Sequence, residues 1–203
     1  MSITTYSELK ASIGNWLNRD DLTAVIPDFI VLAEQQMARD IRHWRQEKRI
    51  ETTLDERYED LPNDFLAAIE LSTDNNRRLT LISTAEMQDR KEATSTAGTP
   101  QYYRFTADQI EFFPVPAASS TATLSMQYYA RIPALSDSNP SNWVLTYAAD
   151  AYLYGALIHS SPYLLDDQRV AIWAGLYQAA IEGLRRDNDG AKYGGPLKMG
   201  VPR

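Results

Sequence analysis

The sequence predicts an α+β protein: an antiparallel-type helical bundle formed by N- and C-terminal helices, an inserted β-rich region and a flexible C-terminal arm. Three observations predict it. Apolar residues recur at three- and four-residue spacing near both ends of the chain, the period of a helix with one buried face. Between them the period falls to two, as in half-buried strands. The stretch Leu135 to Leu157, LSDSNPSNWVLTYAADAYLYGAL, then turns from a polar loop into an aromatic, Ala-rich helix. It reads as the hinge where the chain returns from a sheet to a helical framework. The expected division is residues 1–47 with 135–187 as the bundle, 48–134 as the inserted region, and 188–203 as the arm.

The first helix starts at Thr5, because Thr5 and Glu8 have capping-box spacing. Leu9, Ile13, Trp16 and Leu17 fall on one face. Ile26-Pro27-Asp28 opens the second helix: proline in the first turn loses no hydrogen bond, and the acid complements the helix dipole. Phe29, Ile30, Ala33, Met37, Ile41 and Trp44 carry its apolar stripe. From Ile50 to Asp55 apolar and polar residues alternate as in a strand, and Tyr58 to Pro62 reads as a connection. Strands are expected at 65–71 and 79–82, and a helix at 84–92 capped by Ser83 with Glu86. Three strands follow at 102–105, 109–113 and 124–129, the first two joined by a turn at Ala107-Asp108. A helix runs from about Trp143 to Ser160 and is broken by Ser161-Pro162. The last begins at Asp166-Asp167, with Val170, Trp173, Leu176, Tyr177, Ala180 and Leu184 on its buried side. The segment from 188 is rich in glycine and proline and too poor in apolar residues to order itself.

At 203 residues the chain suffices for one domain with a sizeable core, or one with an insert. It has no cysteine, which excludes disulfides, thiolate catalysis and cysteine-based zinc sites. No run approaches a membrane span, and no basic-then-apolar leader opens it. Folding in a cytoplasm is therefore expected. The net charge of −7 opposes wrapping nucleic acid on a basic face, which needs clustered Lys and Arg.

Catalytic and metal constellations are absent from the pattern, and no cofactor is expected. His43 and His159 sit near predicted helix ends without HExxH-type companions. No glycine-rich phosphate cradle and no GxSxG elbow occurs. The acid pairs Asp55-Glu56, Glu59-Asp60 and Asp166-Asp167 are neighbours in polar turns rather than carboxylates facing across a cleft. Arg39, Arg42 and Arg45 have helical spacing; the ordinary reading is a solvated face, the sharper one a subunit contact or, less favoured, a phosphate contact. Four Trp and twelve Tyr are many for this length, and aromatics are enriched at interfaces. Tyr102-Tyr103, Tyr128-Tyr129 and Tyr152/Tyr154 each place one member on a different face from the other.

The order of short motifs resembles the head-to-tail adaptor proteins of tailed bacteriophages. These motifs are Thr5 to Lys10, Ile26 to Ile30 with Ala33-Glu34, and Leu61-Pro62-Asn63-Asp64-Phe65-Leu66. Gly98-Thr99-Pro100 with Tyr103, and Phe113-Pro114-Val115-Pro116, follow. Tyr128-Tyr129, Ile132-Pro133 with Leu135-Ser136, Asn142-Trp143 with Leu145, and Tyr152 to Leu157 complete the series. Each is weak alone; their order over more than half the chain is specific. The resemblance implies a helical bundle with an inserted β-region and a homo-oligomeric ring, a dodecamer matching the portal. It implies a channel through which DNA passes without sequence-specific binding, with the portal protein and tail or nozzle proteins as partners. It also implies a place in the virion neck and a C-terminal segment that docks on the portal. Within that segment Tyr193, Pro196, Leu197, Met199 and Arg203 are the anchors that chemistry suggests. The motifs carry no active site. Competing readings are another neck or tail-completion protein, a small hydrolase using paired carboxylates, and a helical DNA-binding regulator. Salt-dependent binding to duplex DNA would single out the last.

Overall fold

The computed structural model describes residues 3–73, 77–94, 96–117, 120, 122–164 and 169–194. In chain order the elements are α1 (Tyr6–Leu17), α2 (Ile26–Asp40), a 3-10 turn (Trp44–Gln46), β1 (Glu47–Thr53), β2 (Tyr58–Asp60), β3 (Phe65–Thr73) and β4 (Thr80–Leu81). Then come α3 (Thr84–Ala93), β5 (Tyr102–Thr106), β6 (Gln109–Phe113), β7 (Thr123–Ala130), α4 (Trp143–Tyr147), α5 (Ala149–Leu164) and α6 (Val170–Tyr193). The protein is therefore mixed α+β. It divides into two compact units, Met1–Arg45 with Ile132–Arg203, and Gln46–Arg131.

In the first unit the capping box at α1 is complete. The Thr5 hydroxyl accepts from the Glu8 N–H, and the Glu8 carboxylate takes the N–H groups of Thr4 and Thr5. Helix α5 is the centre of this unit, packed by α1, α2, α4 and α6. Its Tyr152, Leu153, Ala156 and Leu157 meet Leu9 and Ile13 of α1, Ile30 and Met37 of α2, and Trp173, Tyr177 and Ile181 of α6 in one apolar cluster. Burying side chains of this size stabilises by about 1.5–3 kcal/mol each.

Several sequence expectations are corrected here. Trp16 does not join the buried face of α1 and is 47 % exposed. Leu176 is likewise exposed, because it lies 100° around α6 from the buried Tyr177. Helix α2 stops at Asp40 rather than running on to Trp44. The Arg42 guanidinium donates to the carbonyls of Ala38 and Ile41 at 2.7 and 2.6 Å, capping the end in place of another turn. Ser161-Pro162 does not break α5, which runs to Leu164 with Pro162 inside it. The break falls earlier, at Ala148, between α4 and α5. Residues 188–193 belong to α6 and not to a flexible arm.

The second unit holds two sheets. One has the order β1-β7-β3, all antiparallel; the other has the order β2-β6-β5-β4, with β4 parallel to β5. Leu124, Met126, Tyr128 and Ala130 of β7 alternate into a core shared with Leu54, Leu71, Tyr103, Ile110 and Phe112. The β5–β6 turn falls at Ala107-Asp108 as expected, with Ala107 in the left-handed region (φ 51°), a conformation costing about 1 kcal/mol. Tyr58 to Asp60, expected as a connection, is strand β2 paired with β6 through Tyr58 and Glu111. Three residues with no apolar alternation carry no strand signal. Met87 of α3 packs with Ile82 and Phe113.

Candidate assembly surface

The hinge loop is held by one buried polar network. The Asn142 Oδ1 accepts from the Leu145 N–H at 2.9 Å, capping α4. Its Nδ2 donates to the Pro133 carbonyl at 2.8 Å and to the Tyr152 hydroxyl oxygen at 2.6 Å. Tyr152 in turn donates to Glu34 Oε1 at 3.1 Å, which also receives the Leu135 N–H at 2.7 Å. Burial raises the Glu34 carboxyl above its ordinary value against the pull of those two hydrogen bonds. Burial, then Glu34, holds the Tyr152 hydroxyl well above the usual phenol range, so its proton stays in place to be donated. Gly155 has a packing role beside it. A Cβ there would lie 3.0 Å from that of Ala33 and 3.5 Å from the Tyr177 ring, so glycine lets α2 and α6 close on α5.

A second knot holds the end of the α2 segment. His43 is buried and stacked on Trp143 at 4.9 Å. Its Nδ1 accepts from the Arg45 N–H at 3.2 Å, which places the imidazole proton on Nε2, 3.1 Å from Asp187 Oδ2. Burial lowers its pKa, with Asp187 opposing, so the ring is neutral and this contact is a hydrogen bond. The Trp44 N–H donates to Asn188 Oδ1 at 2.8 Å.

These contacts position a surface groove of about 710 Å³. Arg45, Tyr147, Asp150 and Tyr154 line one side, and Leu176, Ala179, Gly183 and Asp187 of α6 the other. The Arg45 guanidinium lies 4.3 Å from the Trp44 ring and 3.9 Å from the Tyr147 ring, a cation–π sandwich. Trp16 extends the patch through an edge contact of 5.9 Å with Tyr154. Trp16, Trp44, Tyr147 and Leu176 are all markedly exposed. Trp, Tyr and Arg around a small-residue floor is the composition of protein-binding hot spots. Contiguous exposed apolar area of this kind marks an interaction site.

The sequence matches the family model of the SU10 adaptor protein over residues 4–200. The chain belongs to the SU10 adaptor protein family. It is thus a phage adaptor protein. Comparison with curated proteins gives no match. In this adaptor the motif residues Ile132-Pro133, Leu135, Asn142, Leu145 and Tyr152 are those that build, cap or border the hinge network.

The arginines read as one row are not one helical row. Arg39 is on α2, Arg42 caps its end, and Arg45 lies in the 3-10 turn. Only Arg45 lines the groove. Tyr193 is the last residue of α6 and is 77 % exposed; Pro196, Leu197, Met199 and Arg203 lie outside the described residues. Each tyrosine pair splits as expected, with Tyr103, Tyr128 and Tyr152 buried and Tyr102, Tyr129 and Tyr154 half-buried. His159 is half-buried and within 3.0 Å of Gln36. Asp55, Glu56 and Asp60 gather around Glu59, whose carboxyl is raised by burial and then by their repulsion. Asp166-Asp167 lies outside the described residues. Among the described residues no group of three or more His, Asp or Glu is placed to hold a metal ion. Among them, too, no helix is long and apolar enough to cross a membrane.

The second unit of the adaptor contains a buried ion cluster that sequence reading missed. Glu111 on β6 has no exposed side-chain surface, and it binds Lys91 at 2.5 Å, Arg104 at 2.5 Å and Arg57 at 2.7 Å. Tyr58 adds its hydroxyl at 3.2 Å. Burial pushes the Glu111 carboxyl up, but Lys91, Arg104 and Arg57 outweigh it and hold it at about 2. The sequence signal was present: one acid among Ile110, Phe112 and Phe113 in a strand. The cluster ties α3, β5, β6 and the β2 approach together, which is a structural task.

Proposed function

We propose that the protein is a structural virion component without enzymatic activity, a head-to-tail adaptor. Copies form a ring under the portal, extend the DNA channel and provide the attachment site for the tail. The observation that carries this reading is the family match along nearly the whole chain, residues 4–200. The exposed Trp–Arg–Tyr groove supports it, since a ring subunit must keep interface surface uncovered until it assembles. The net charge of −7 supports a channel that passes DNA without holding it, because phosphate binding requires clustered cations. A ring of twelve would match a dodecameric portal, and the place of the protein is the virion neck. In this reading the helices packed around α5 act as the stiff framework and the β-rich unit as the inserted region.

The C-terminal segment is the portal-docking arm of this proposal, with Tyr193, Pro196, Leu197, Met199 and Arg203 as its anchors. Because Asn188 takes the Trp44 N–H and residues 188–193 belong to α6, truncation at 188 would damage the fold. Removing residues 195–203 is the cleaner test. The expected outcome is unchanged circular dichroism and loss of co-sedimentation with the portal protein of the same phage. Undiminished portal binding by the truncated chain would refute the arm.

A further inference from the structure

We propose that the groove of one copy receives the outer face of helix α2 from the neighbouring copy; this rests on the ring reading and names its contact surfaces. Helix α2 buries Phe29, Ile30, Ala33 and Met37 but leaves Val31 at 48 % and Leu32 at 42 % exposure. Those two sit on an outer stripe with Asp28, Gln35 and Arg39, all exposed apart from the apolar pair's partial cover. Val31 and Leu32 are adjacent, 100° apart around the helix, and form one apolar spot among polar residues.

The groove offers that stripe small residues and a carboxylate. Ala179 and Gly183 form a floor with no side chain beyond a methyl, and a Cβ at Gly183 would meet nothing within 4 Å. Gly183 costs α6 about 1 kcal/mol relative to alanine, and among the described residues nothing would meet a Cβ there. A small-residue floor allows a second helix to approach at the 8–10 Å typical of packed helices. The far end is apolar, with Tyr154, Leu176 and Trp16; the near end carries Arg45, Asp150 and Asp187. Asp150 and Asp187 supply the carboxylates of the near end, and Asp187 is already bonded to His43. Arg39 follows Leu32 by seven residues, ~10 Å along the helix, so the stripe carries its cation about two turns beyond its apolar pair. Asp150 is the exposed carboxylate that Arg39 would meet.

The two surfaces lie on different sides of the same unit. Gly155 faces Ala33 of α2, whereas Tyr154, one residue earlier and turned 100°, lines the groove. A contact between unlike faces is heterologous, and such a contact gives a ring when the rotation between copies closes.

Cysteine pairing tests this directly, because the chain has none of its own. In the full chain carrying Leu32→Cys and Ala179→Cys, oxidation on the portal protein should give a ladder of disulfide-linked multimers. Either single variant should give none. Separately, Arg39→Glu and Asp150→Lys should each weaken assembly at least tenfold, and together restore it to within threefold of the unaltered protein. If the unaltered protein forms rings but the double-cysteine chain does not cross-link, or both charge variants assemble normally, the contact assignment is overturned while the ring reading stands. If the unaltered protein forms no ring on the portal, the ring reading falls and this inference falls with it.

Discussion

Glu111→Leu is expected to destabilise the β-rich unit by about 3 kcal/mol. Removing one side of a buried ion pair strands the other and typically costs 3–5 kcal/mol. The lower end applies, since Arg57, Lys91 and Arg104 keep 36 %, 23 % and 21 % of their side-chain surface exposed and can turn towards water. With a urea slope near 2 kcal/mol/M, the midpoint should fall by roughly 1.5 M. An unchanged midpoint would mean that the cluster contributes nothing net. The pH dependence follows from the same group. Glu111 is held at about 2 from an ordinary value of 4.5, so its stabilising effect is complete above about 4.5 and is lost as pH falls towards 2. The gap between the unaltered protein and Glu111→Gln should therefore narrow over that window and be constant above it.

Asn142→Ala is expected to cost the helical unit about 3 kcal/mol. The N-cap of α4 accounts for about 1 kcal/mol. The rest comes from the Pro133 carbonyl and the Tyr152 hydroxyl oxygen, each left without the donor it has at 2.8 and 2.6 Å, at roughly 1 kcal/mol or more apiece. A loss of roughly 8 °C in the melting temperature is the corresponding readout. A drop no larger than that of an exposed surface substitution would show that the loop is held by its apolar contacts, Ile132 and Leu135, instead.

Both sites show what pattern reading reaches and where it stops. The start of α1 was legible because the Thr5–Glu8 box is local, and the strands at 102–106, 109–113 and 123–130 because alternation with turns is local. The end of α2 was not, because Arg42 caps it by a side-chain bond that mimics continued helix in the sequence. Pro162 read as a breaker, yet it sits in the last turn of α5, where neighbouring Ser160 and Ser161 turn their hydroxyls onto the Leu157 carbonyl. Strand β2 was invisible because its only apolar-pattern support comes from β6, fifty residues away in sequence.

By itself the sequence determined the α+β class, most helices and strands, and the family, since periodicity, caps and ordered motifs are properties of contiguous residues. Only the tertiary structure decided which motif residues act together. Asn142, Tyr152, Glu34 and Leu135 became one network, and Glu111 became the partner of three cations. Trp16 and Leu176 moved from expected core to exposed surface. The reason is that helical spacing specifies a face only to within about a residue, whereas burial depends on what the neighbouring helices leave uncovered. That outcome is a property of packing, and it is what created the groove.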